Sequence, residues 1–326
     1  MKVVFCNQLN RFWVESVEQL RKEFPDVELI TDKDNPEQEM DHAHALVANR
    51  LSKEQVQSCR NLEIIFVPHV GVNTLPLDRI MSQGIRISNV HGNSRYVAER
   101  AVAMTLCFYG RVLECHNDLK ASKWHGFWVG KGVRDSWDSI QGKTCAVIGV
   151  GEIGKYLAKY LKAFDCKVIG FKRRPLHDIP DGFNEITLDL HEAIRKAELV
   201  FVALPLTEGT RGLFSAEILS GMQGKFLVNM GRGEVVSEEG LYHALKEGIL
   251  LGAAIDVWYN YPKGGNEIAN PSQYPIQELP NVILSPHLAG FTPQAAQLNI
   301  EQTIENVRSF LKEGNPIFEV DLEQMY

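Results

Sequence analysis

The sequence predicts an α/β protein of two domains, each built on a parallel β-sheet covered by helices. A chain of 326 residues is long enough for two domains with separate cores. Short apolar runs alternate with helix-length segments in both halves of the chain, a pattern typical of parallel sheets. The composition, with 44% hydrophobic and 23% charged residues, is that of a soluble globular protein.

The first half of the chain predicts a sheet followed by a long helix. Buried strands are predicted at 3–5, 27–30, 45–48, 63–67 and 85–88, with a helix over 12–24. A second helix is predicted from Arg95 to Lys120, with Asn93 or Ser94 as its cap. Because this helix is apolar on most faces as far as Phe108, we expect it to be buried between domains or in a dimer contact.

The second half predicts another sheet and a terminal helix. Strands are predicted at 144–149, 167–171, 199–204, 225–230, 250–256 and 281–285. The last helix is predicted to begin at Thr292-Pro293, a cap followed by proline at the first helical position. Its apolar stripe consists of Ile300, Ile304, Val307 and Leu311. We expect one domain over 1–94 and 293–326, and the other over 95–292.

Charge and cysteine content narrow the class of function. The net charge is −7, and the chain has no lysine or arginine cluster of the kind that binds nucleic acid. The six cysteines show neither a CxxC pair nor metal-ligand spacing, which favours a reduced, cytoplasmic protein without a metal site. No apolar stretch is long enough for a signal peptide or a bilayer span, so no membrane partner is expected.

A glycine-rich segment follows the first strand of the second sheet. Gly149, Gly151 and Gly154 have the G-x-G-x-x-G spacing, and the helix after them has one apolar face. Gly149 permits a tight turn, Gly151 lets the backbone approach a pyrophosphate, and Gly154 permits close helix–strand packing. The helix N-terminus then faces the negative charge. This context predicts a Rossmann dinucleotide-binding domain, although the spacing alone also fits an ordinary turn.

A basic run follows the next strand. Lys172, Arg173 and Arg174 stand where an NAD-binding fold normally presents an acidic residue to the adenosine ribose. An acidic side chain would repel a 2′-phosphate, whereas a guanidinium binds it through charge-assisted hydrogen bonds. The run therefore favours NADP over NAD as the cofactor, with a solvated basic loop as the alternative.

Two later strand ends carry Arg232, between two glycines, and His287. Because ligands of an open α/β sheet bind beyond the carboxyl ends of its strands, both side chains are expected at one crevice. A guanidinium can bind the carboxylate and keto oxygen of a 2-oxo acid, and an imidazole can protonate that oxygen as hydride arrives from a nicotinamide. The pair predicts carbonyl reduction, whereas each residue alone fits a surface arginine or a loop histidine equally well.

The chain resembles the D-isomer-specific 2-hydroxyacid dehydrogenases over nearly its whole length. The segments that carry the resemblance are VGVN (70–73), NSRYVAERAVAM (93–104), GVGEIG (149–154), LPLTEGTRGLF (204–214), NMGRGEVV (229–236), AAIDV (253–257) and NVILSPHLAGFT (281–292). The resemblance implies a flavodoxin-like substrate domain, made of both chain ends, around a central Rossmann domain. It also implies a small 2-oxo acid as substrate and a homodimer as the assembly.

The resemblance assigns roles to individual residues. It implies that Arg232 binds substrate, that His287 is the general acid/base, and that Val70, Gly71 and Asn93 also bind substrate. The cofactor contacts, including those of the glycine segment and the basic run, are expected from Gly149, Gly151, Glu152, Ile153, Gly154, Lys172, Arg173, Arg174, Leu204, Pro205, Thr210, Met230, Gly231, Asp256, Ala289 and Gly290.

One position departs from the family pattern. The family segment usually reads aspartate, valine, an aromatic residue, two variable residues, glutamate and proline, and in DVWYNYP (256–262) Tyr261 occupies the glutamate position. A carboxylate would raise the pKa of His287, whereas a neutral tyrosine can still accept a hydrogen bond and orient the ring but raises that pKa much less. We expect Tyr261 to belong to the catalytic group, with a His287 whose protonated fraction declines at lower pH than in typical relatives.

Two other functions stay open at this point. Formate dehydrogenases are similar to this family, also lack that glutamate and share Asn93, but they usually use NAD, which the basic run disfavours. A nucleotide-sensing binding protein, like the corepressors built on this scaffold, would need neither Arg232 nor His287. Glu267, which follows Tyr261 closely, is a candidate replacement for the missing carboxylate.

Overall fold

The computed structural model describes residues 1–31, 34–125, 136–264 and 268–322. The chain forms two compact units, which we call the terminal unit (Met1–Asn93 with Phe291–Tyr326) and the central unit (Ser94–Gly290). Each unit contains one sheet whose neighbouring strands are parallel. The predicted α/β fold with two parallel sheets is confirmed.

The terminal unit has a five-stranded sheet in the order β2-β1-β3-β4-β5, which is the flavodoxin-like order. Its strands are β1 (Lys2–Phe5), β2 (Glu28–Ile30), β3 (Ala45–Val47), β4 (Ile64–Phe66) and β5 (Arg86–Ser88). Nearly all residues of β1, β3 and β4 are buried, because helices cover both faces of a parallel sheet.

Helices from both ends of the chain cover this sheet. They are α1 (Arg11–Glu23), α2 (Pro36–Glu39), α3 (Lys53–Ser58), α4 (Leu77–Ser82) and α11 (Pro293–Glu313), with a 3₁₀ turn at Met40–His42. The cap of α11 forms as predicted, since Thr292 Oγ1 accepts a hydrogen bond from Ala295 N at 3.0 Å. The predicted stripe of α11 packs into the core that contains Trp13 and Phe66, which returns the C-terminal segment to the first sheet.

The central unit has a seven-stranded sheet in the order β12-β11-β10-β9-β6-β7-β8. Its strands are β6 (Thr144–Ile148), β7 (Lys167–Phe171), β8 (Glu185–Thr187), β9 (Leu199–Val202), β10 (Phe226–Asn229), β11 (Gly252–Ile255) and β12 (Val282–Leu284). The sequence did not predict β8. This edge strand has only Ile186 between two polar residues, so it lacks the apolar run that marks a buried strand.

The predicted helix from Arg95 to Lys120 is wrong, because the chain breaks it into two helices. The helices of the central unit are α5 (Ser94–Tyr109), α6 (Val112–Lys120), α7 (Glu152–Lys162), α8 (Leu190–Lys196), α9 (Ala216–Ser220) and α10 (Glu238–Lys246), with 3₁₀ turns at Gly233–Val235 and Ile276–Glu278. Arg111 has φ +49°, the left-handed region, which no α-helix accommodates. A Cβ on Gly110 would lie 2.7 Å from the Leu106 carbonyl oxygen, so the break depends on glycine.

The body of α5 is buried against α7 within the central unit, and its expected place between domains or in a dimer contact stays a prediction. Ala98 and Ala101 share a hydrophobic core with Leu157 and Leu161 of α7. Small residues on α5 allow the two helices to approach closely. Among the described helices, none combines the length and the apolar composition needed to cross a bilayer.

The arrangement of the central sheet determines where a site can form. All neighbouring strands from β6 to β12 run parallel, so their carboxyl ends lie along one edge. The glycine segment, the basic run, Arg232 and His287 each follow one of these strands, and the strand order changes direction between β6 and β9. Ligands of such sheets bind at this edge, near the point where the order reverses.

Candidate active site

The glycine segment between β6 and α7 is shaped by close backbone approaches. Gly149 has φ +113°, and a Cβ there would lie 2.7 Å from the Ala203 carbonyl oxygen. A Cβ on Gly154 would lie 2.0 Å from the Gly149 oxygen, so neither position accepts a side chain. At Gly151, in contrast, a Cβ would meet no described atom within 4 Å. Open space therefore lies beside the start of α7.

This open space fits the pyrophosphate of a dinucleotide. Gly151 is the N-cap of α7 and provides no side-chain cap to its first amides, which are groups that bind anions well. Glu152 forms an ion pair with Lys155 at 2.7 Å, and Ile153 packs against the hydrophobic core. Both side chains are therefore already engaged. Glu152 and Ile153 can bind an anion through their backbone amides.

The basic run lies after β7, one strand away from the glycine segment. Lys172 is partly buried and its backbone N–H donates to Thr187 O at 3.2 Å. Arg173 and Arg174 are exposed. A Cβ on Gly209 would lie 3.3 Å from Arg173 Nη1, which places this guanidinium beside the loop after β9. The run thus forms a cationic rim at the carboxyl edge of the sheet.

The loop after β9, which includes Leu204 and Pro205, is closed by Thr210. Thr210 is only 3% exposed. Its Oγ1 donates to Pro205 O at 2.6 Å and accepts from Thr207 N at 2.8 Å. The hydroxyl therefore fixes the shape of the loop, and the predicted contact of Thr210 with the cofactor stays a prediction.

Arg232 lies in a turn after β10 that the buried Asn229 holds. Asn229 Nδ2 donates to Arg232 O at 3.1 Å, and its Oδ1 accepts from Gly231 N at 3.1 Å. The side chain of Arg232 donates from Nη1 to Gly231 O at 2.8 Å. A Cβ on Gly233 would lie 2.4 Å from Trp258 O, so the turn packs directly on the segment after β11. These contacts leave little freedom to the base of the arginine side chain.

The environment of Arg232 keeps a positive charge in a partly buried place. Burial lowers the pKa of Arg232, while Tyr261 and Glu234 act in the opposite direction. Because the ordinary pKa of arginine lies above about 12, the guanidinium stays protonated at neutral pH. In the described part of the chain, its Nε and Nη2 donate to no other residue. These donors are available to a carboxylate or carbonyl oxygen.

Asp256 fastens the loop that carries His287. Asp256 is 1% exposed, and its Oδ1 accepts from Ser285 Oγ and from Leu288 N, the latter at 3.0 Å. Its Oδ2 accepts from Ala289 N at 3.1 Å. His287 lies between these anchors with φ +57°, a conformation that costs a non-glycine residue energy and must be held by its surroundings. The structure thus gives Asp256 a positioning role, beside the cofactor contact that stays a prediction.

Tyr261 contacts His287 through its ring. The two ring centroids are 5.5 Å apart at an interplanar angle of 52°. The Tyr261 hydroxyl accepts a hydrogen bond from Trp258 N at 3.1 Å. A phenol at this position can accept a hydrogen bond from the imidazole, but within the described residues the imidazole has no hydrogen-bond or ion-pair partner. The backbone of Trp258 is the donor to the hydroxyl instead.

The surroundings of His287 disfavour its charged form. Although the residue is exposed at the surface of its loop, partial desolvation lowers the pKa of His287, and the Arg232 guanidinium lowers it further. Asp256 acts in the opposite direction but does not reverse the change. Burial also raises the pKa of Tyr261, so the phenol is neutral at neutral pH and supplies no negative charge to the imidazole.

Three residues of this arrangement were not among the site residues that the sequence predicted. Asn229 is the last residue of β10, Ser285 directly follows β12, and Trp258 lies two residues after Asp256. Trp258 is 6% exposed, and its Nε1 donates to Ser285 O at 2.8 Å. A polar side chain at the carboxyl end of an apolar strand was the available signal for Asn229 and Ser285.

The remaining predicted residues lie in both units. In the central unit, Met230 and Ala289 are buried and Gly290 is partly buried. In the terminal unit, Val70 O accepts from Asn89 Nδ2 at 2.8 Å, and Gly71 is partly buried. Asn93 Oδ1 is buried and has no hydrogen-bond partner in the described chain. The substrate-binding roles of Val70, Gly71 and Asn93 stay predictions, and Glu267 lies outside the described residues.

One cluster of metal-ligand types lies away from these loops, on and after α6. Donor atoms of Glu114, Asp118 and His125 lie within 4.8 Å of one another. Arg111 Nε donates to Glu114 at 2.8 Å, and His125 Nε2 contacts Asp118 at 2.6 Å. The three side chains of the cluster are therefore already engaged by contacts within the described chain.

Comparison with known proteins gives a consistent result. The family model described as "D-isomer specific 2-hydroxyacid dehydrogenase, NAD binding domain" matches residues 102–289. A glyoxylate reductase of Thermofilum pendens is 29% identical over 274 residues, 83% of this chain and 78% of the relative. A mitochondrial formate dehydrogenase of Solanum tuberosum is 27% identical over 286 residues, 84% of this chain and 70% of the relative.

A solved structure shares the fold over nearly the whole chain. It is the NADPH-dependent glyoxylate/hydroxypyruvate reductase of Sinorhizobium meliloti, in complex with citrate, with a TM-score of 0.77 and 22% sequence identity. The match covers 98% of this chain and 98% of that chain. At this identity the likeness supports the fold alone.

Proposed function

Because the chain belongs to the D-isomer-specific 2-hydroxyacid dehydrogenase family, and is thus an oxidoreductase with a nicotinamide cofactor, we propose that it reduces small 2-oxo acids to D-2-hydroxy acids with NADPH. The observation that carries this proposal is the arrangement of Arg232 and His287. They follow β10 and β12, the two neighbours of β11, and the segment after β11 contacts both of their loops. A charged donor and a proton donor are thereby brought to one edge of one sheet.

Each side chain of this pair has a defined task in the proposed reaction. Arg232 binds the substrate carboxylate and polarises the keto oxygen with its unengaged donors, because a planar guanidinium matches both groups. His287 in its protonated form transfers a proton to the oxygen as negative charge develops there. The nicotinamide cofactor, when bound, supplies the hydride. Asp256 keeps the imidazole in place, through its bonds to the residues on either side of His287.

A panel of substrates tests the proposed function directly. Purified protein is assayed with glyoxylate, hydroxypyruvate and bulkier 2-oxo acids, with NADPH and with NADH, across pH. We expect 2-oxo acid reduction, with the D-2-hydroxy acid as product. Oxidation of formate without any 2-oxo acid reduction would favour a formate dehydrogenase, and dinucleotide binding without turnover would favour a sensor.

The preference for NADPH is supported by the exposed guanidinium groups of Arg173 and Arg174 at the edge that carries the glycine segment. Replacing both with serine is expected to weaken NADPH binding by about 10–100-fold, since a hydrogen bond to a charged group contributes about 1.5–3 kcal/mol. NADH binding should change little, because it lacks the 2′-phosphate. Titration of nicotinamide fluorescence gives both dissociation constants.

The control for this pair is Lys159→Ser, which removes an exposed charge from α7 without touching the basic run. It should leave both dissociation constants nearly unchanged. Equal weakening of NADPH and NADH in the double variant would show that the arginines do not recognise a 2′-phosphate.

The pH dependence of reduction is expected to reflect the unpaired state of His287. The protonated form is the acid, so kcat/KM falls as pH rises through the pKa of His287, which lies below its ordinary value. Tyr261→Glu places a carboxylate against the ring and should move this fall to higher pH. The measurement is the pH profile of kcat/KM for the best 2-oxo acid.

Two further variants give the controls. Tyr261→Phe keeps the ring but adds no charge, so its profile should not move to higher pH. Glu267→Gln tests the alternative carboxylate. If that variant moved the fall to lower pH, Glu267 and not Tyr261 would determine the protonation of His287.

We also propose that the protein forms a homodimer and is located in the cytoplasm. A homodimer is supported by the family resemblance and by an exposed apolar face on α6, where Val112, Leu113 and Leu119 are each more than half exposed at 54%, 52% and 51%. A cytoplasmic location is supported by the free cysteines, which form no disulfide in the described structure.

A further inference from the structure

We propose that Trp258 is a positioning residue that holds the loops of Arg232, His287 and Tyr261 in one arrangement. This inference rests on the proposed reduction, since it assigns His287 and Arg232 the roles given above. It concerns a residue that makes no assumed contact with substrate or cofactor.

Trp258 contacts the loops of Arg232 and His287 and also bonds Tyr261, which lies in its own segment after β11. Its indole Nε1 donates to Ser285 O at 2.8 Å, two residues before His287. Its backbone N–H donates to the Tyr261 hydroxyl at 3.1 Å. Its carbonyl oxygen is the atom that a Cβ on Gly233 would approach to 2.4 Å, directly after Arg232. One residue therefore touches all three parts of the site.

The indole bond is the contact of Trp258 that depends on its side chain. Ser285 is 1% exposed, so its carbonyl oxygen would lose a partner in a place that water reaches poorly. The opposite side of the same loop is held by Asp256, through Ser285 Oγ, Leu288 N and Ala289 N. The left-handed backbone of His287 is thus held between an acceptor at Asp256 and a donor at Trp258.

An aromatic residue without a donor cannot replace this contact. Phenylalanine would fill most of the buried space of Trp258 but would leave Ser285 O without its hydrogen bond. Because His287 is in a conformation that its surroundings must impose, loss of one anchor should let the imidazole move away from Tyr261 and Arg232. Its desolvation and the repulsion from Arg232 would then decrease, and both of these lower its pKa.

The test is Trp258→Phe, with Tyr259→Phe as the matched control. Tyr259 is the next residue and is partly buried, and its hydroxyl donates to Val236 O at 3.0 Å, in the segment after β10 rather than in the His287 loop. Each variant removes one aromatic donor to a backbone carbonyl. A change in activity or stability that both variants share would reflect the loss of a hydrogen bond. A change found only in Trp258→Phe would reflect the position of His287.

We expect Trp258→Phe to lower kcat by about 10–100-fold with little change in KM, since small displacements of catalytic groups cost that much. The pH at which kcat/KM falls should also move to a higher value in Trp258→Phe. Tyr259→Phe should show neither change. NMR titration of the His287 ring in protein without cofactor, assigned by comparison with His287→Gln, should give a higher pKa in Trp258→Phe.

The outcomes separate this inference from the proposed function. If the wild-type protein reduced no 2-oxo acid, the proposed function would fail, while the NMR titration would still report whether Trp258 positions His287. If Trp258→Phe matched Tyr259→Phe in both its pH profile and the NMR titration, the positioning role would be overturned. If both variants unfolded at assay temperature, measurement at lower temperature would keep the comparison.

Discussion

Replacing His287 with glutamine is expected to lower kcat for 2-oxo acid reduction by about 10²–10⁴-fold, the usual contribution of a general acid. Glutamine keeps a polar side chain of similar size but cannot donate a proton to the developing alkoxide. The dissociation constant for NADPH should stay within about twofold, because most of the predicted cofactor contacts lie on other loops and the His287 side chain is assigned to the substrate. Steady-state kinetics and fluorescence titration on the same preparation measure the two effects.

The control for this variant is His177→Gln. The side chain of His177 is 97% exposed and lies in the loop after β7, so its loss should leave turnover unchanged. A His287→Gln protein with nearly wild-type turnover would contradict the assignment of the general acid. It would show that the proton reaches the keto oxygen from another donor.

The second large effect is expected from alanine substitutions in the G-x-G-x-x-G segment. Gly154→Ala should lower the stability of the protein, whereas Gly151→Ala should weaken the binding of the cofactor. Gly154→Ala should destabilise the central unit, because the new Cβ would lie 2.0 Å from the Gly149 carbonyl oxygen and α7 would have to move from β6. Overpacking of this kind costs about 1–3 kcal/mol or more. Unfolding by urea without cofactor measures the loss directly.

Gly151→Ala should leave the protein as stable as the wild type, since the new Cβ meets no described atom within 4 Å and φ is −86°. The methyl group would instead occupy the space assigned to the pyrophosphate, so NADPH and NADH should both bind at least about tenfold more weakly. Wild-type affinity in Gly151→Ala would show that the dinucleotide does not pass over this glycine. The two variants together separate the packing role of the motif from its binding role.

The local patterns of the sequence predicted most of the fold. Nearly all strands were found from apolar runs, and the helix at Pro293–Glu313 from a cap and a stripe, because these signals involve residues that are close in the chain. The two errors, at β8 and at the break between α5 and α6, also arise from the local sequence. The short strand β8 lacks an apolar run, and the break at Gly110 and Arg111 interrupts an apolar helix pattern that does not reveal it.

The sequence by itself determined two parallel sheets, a glycine segment shaped for a dinucleotide, and an arginine and a histidine at strand ends. Glycine spacing and strand order suffice for these, since parallel topology places all strand ends at one edge. Only the tertiary structure decided how His287 is held. The hydrogen bonds that anchor its loop join residues 27 to 33 positions apart in the chain, and the Tyr261 hydroxyl bonds the backbone of Trp258 rather than the imidazole. Such contacts depend on how neighbouring strands bring their loops together, which no local pattern of residues encodes.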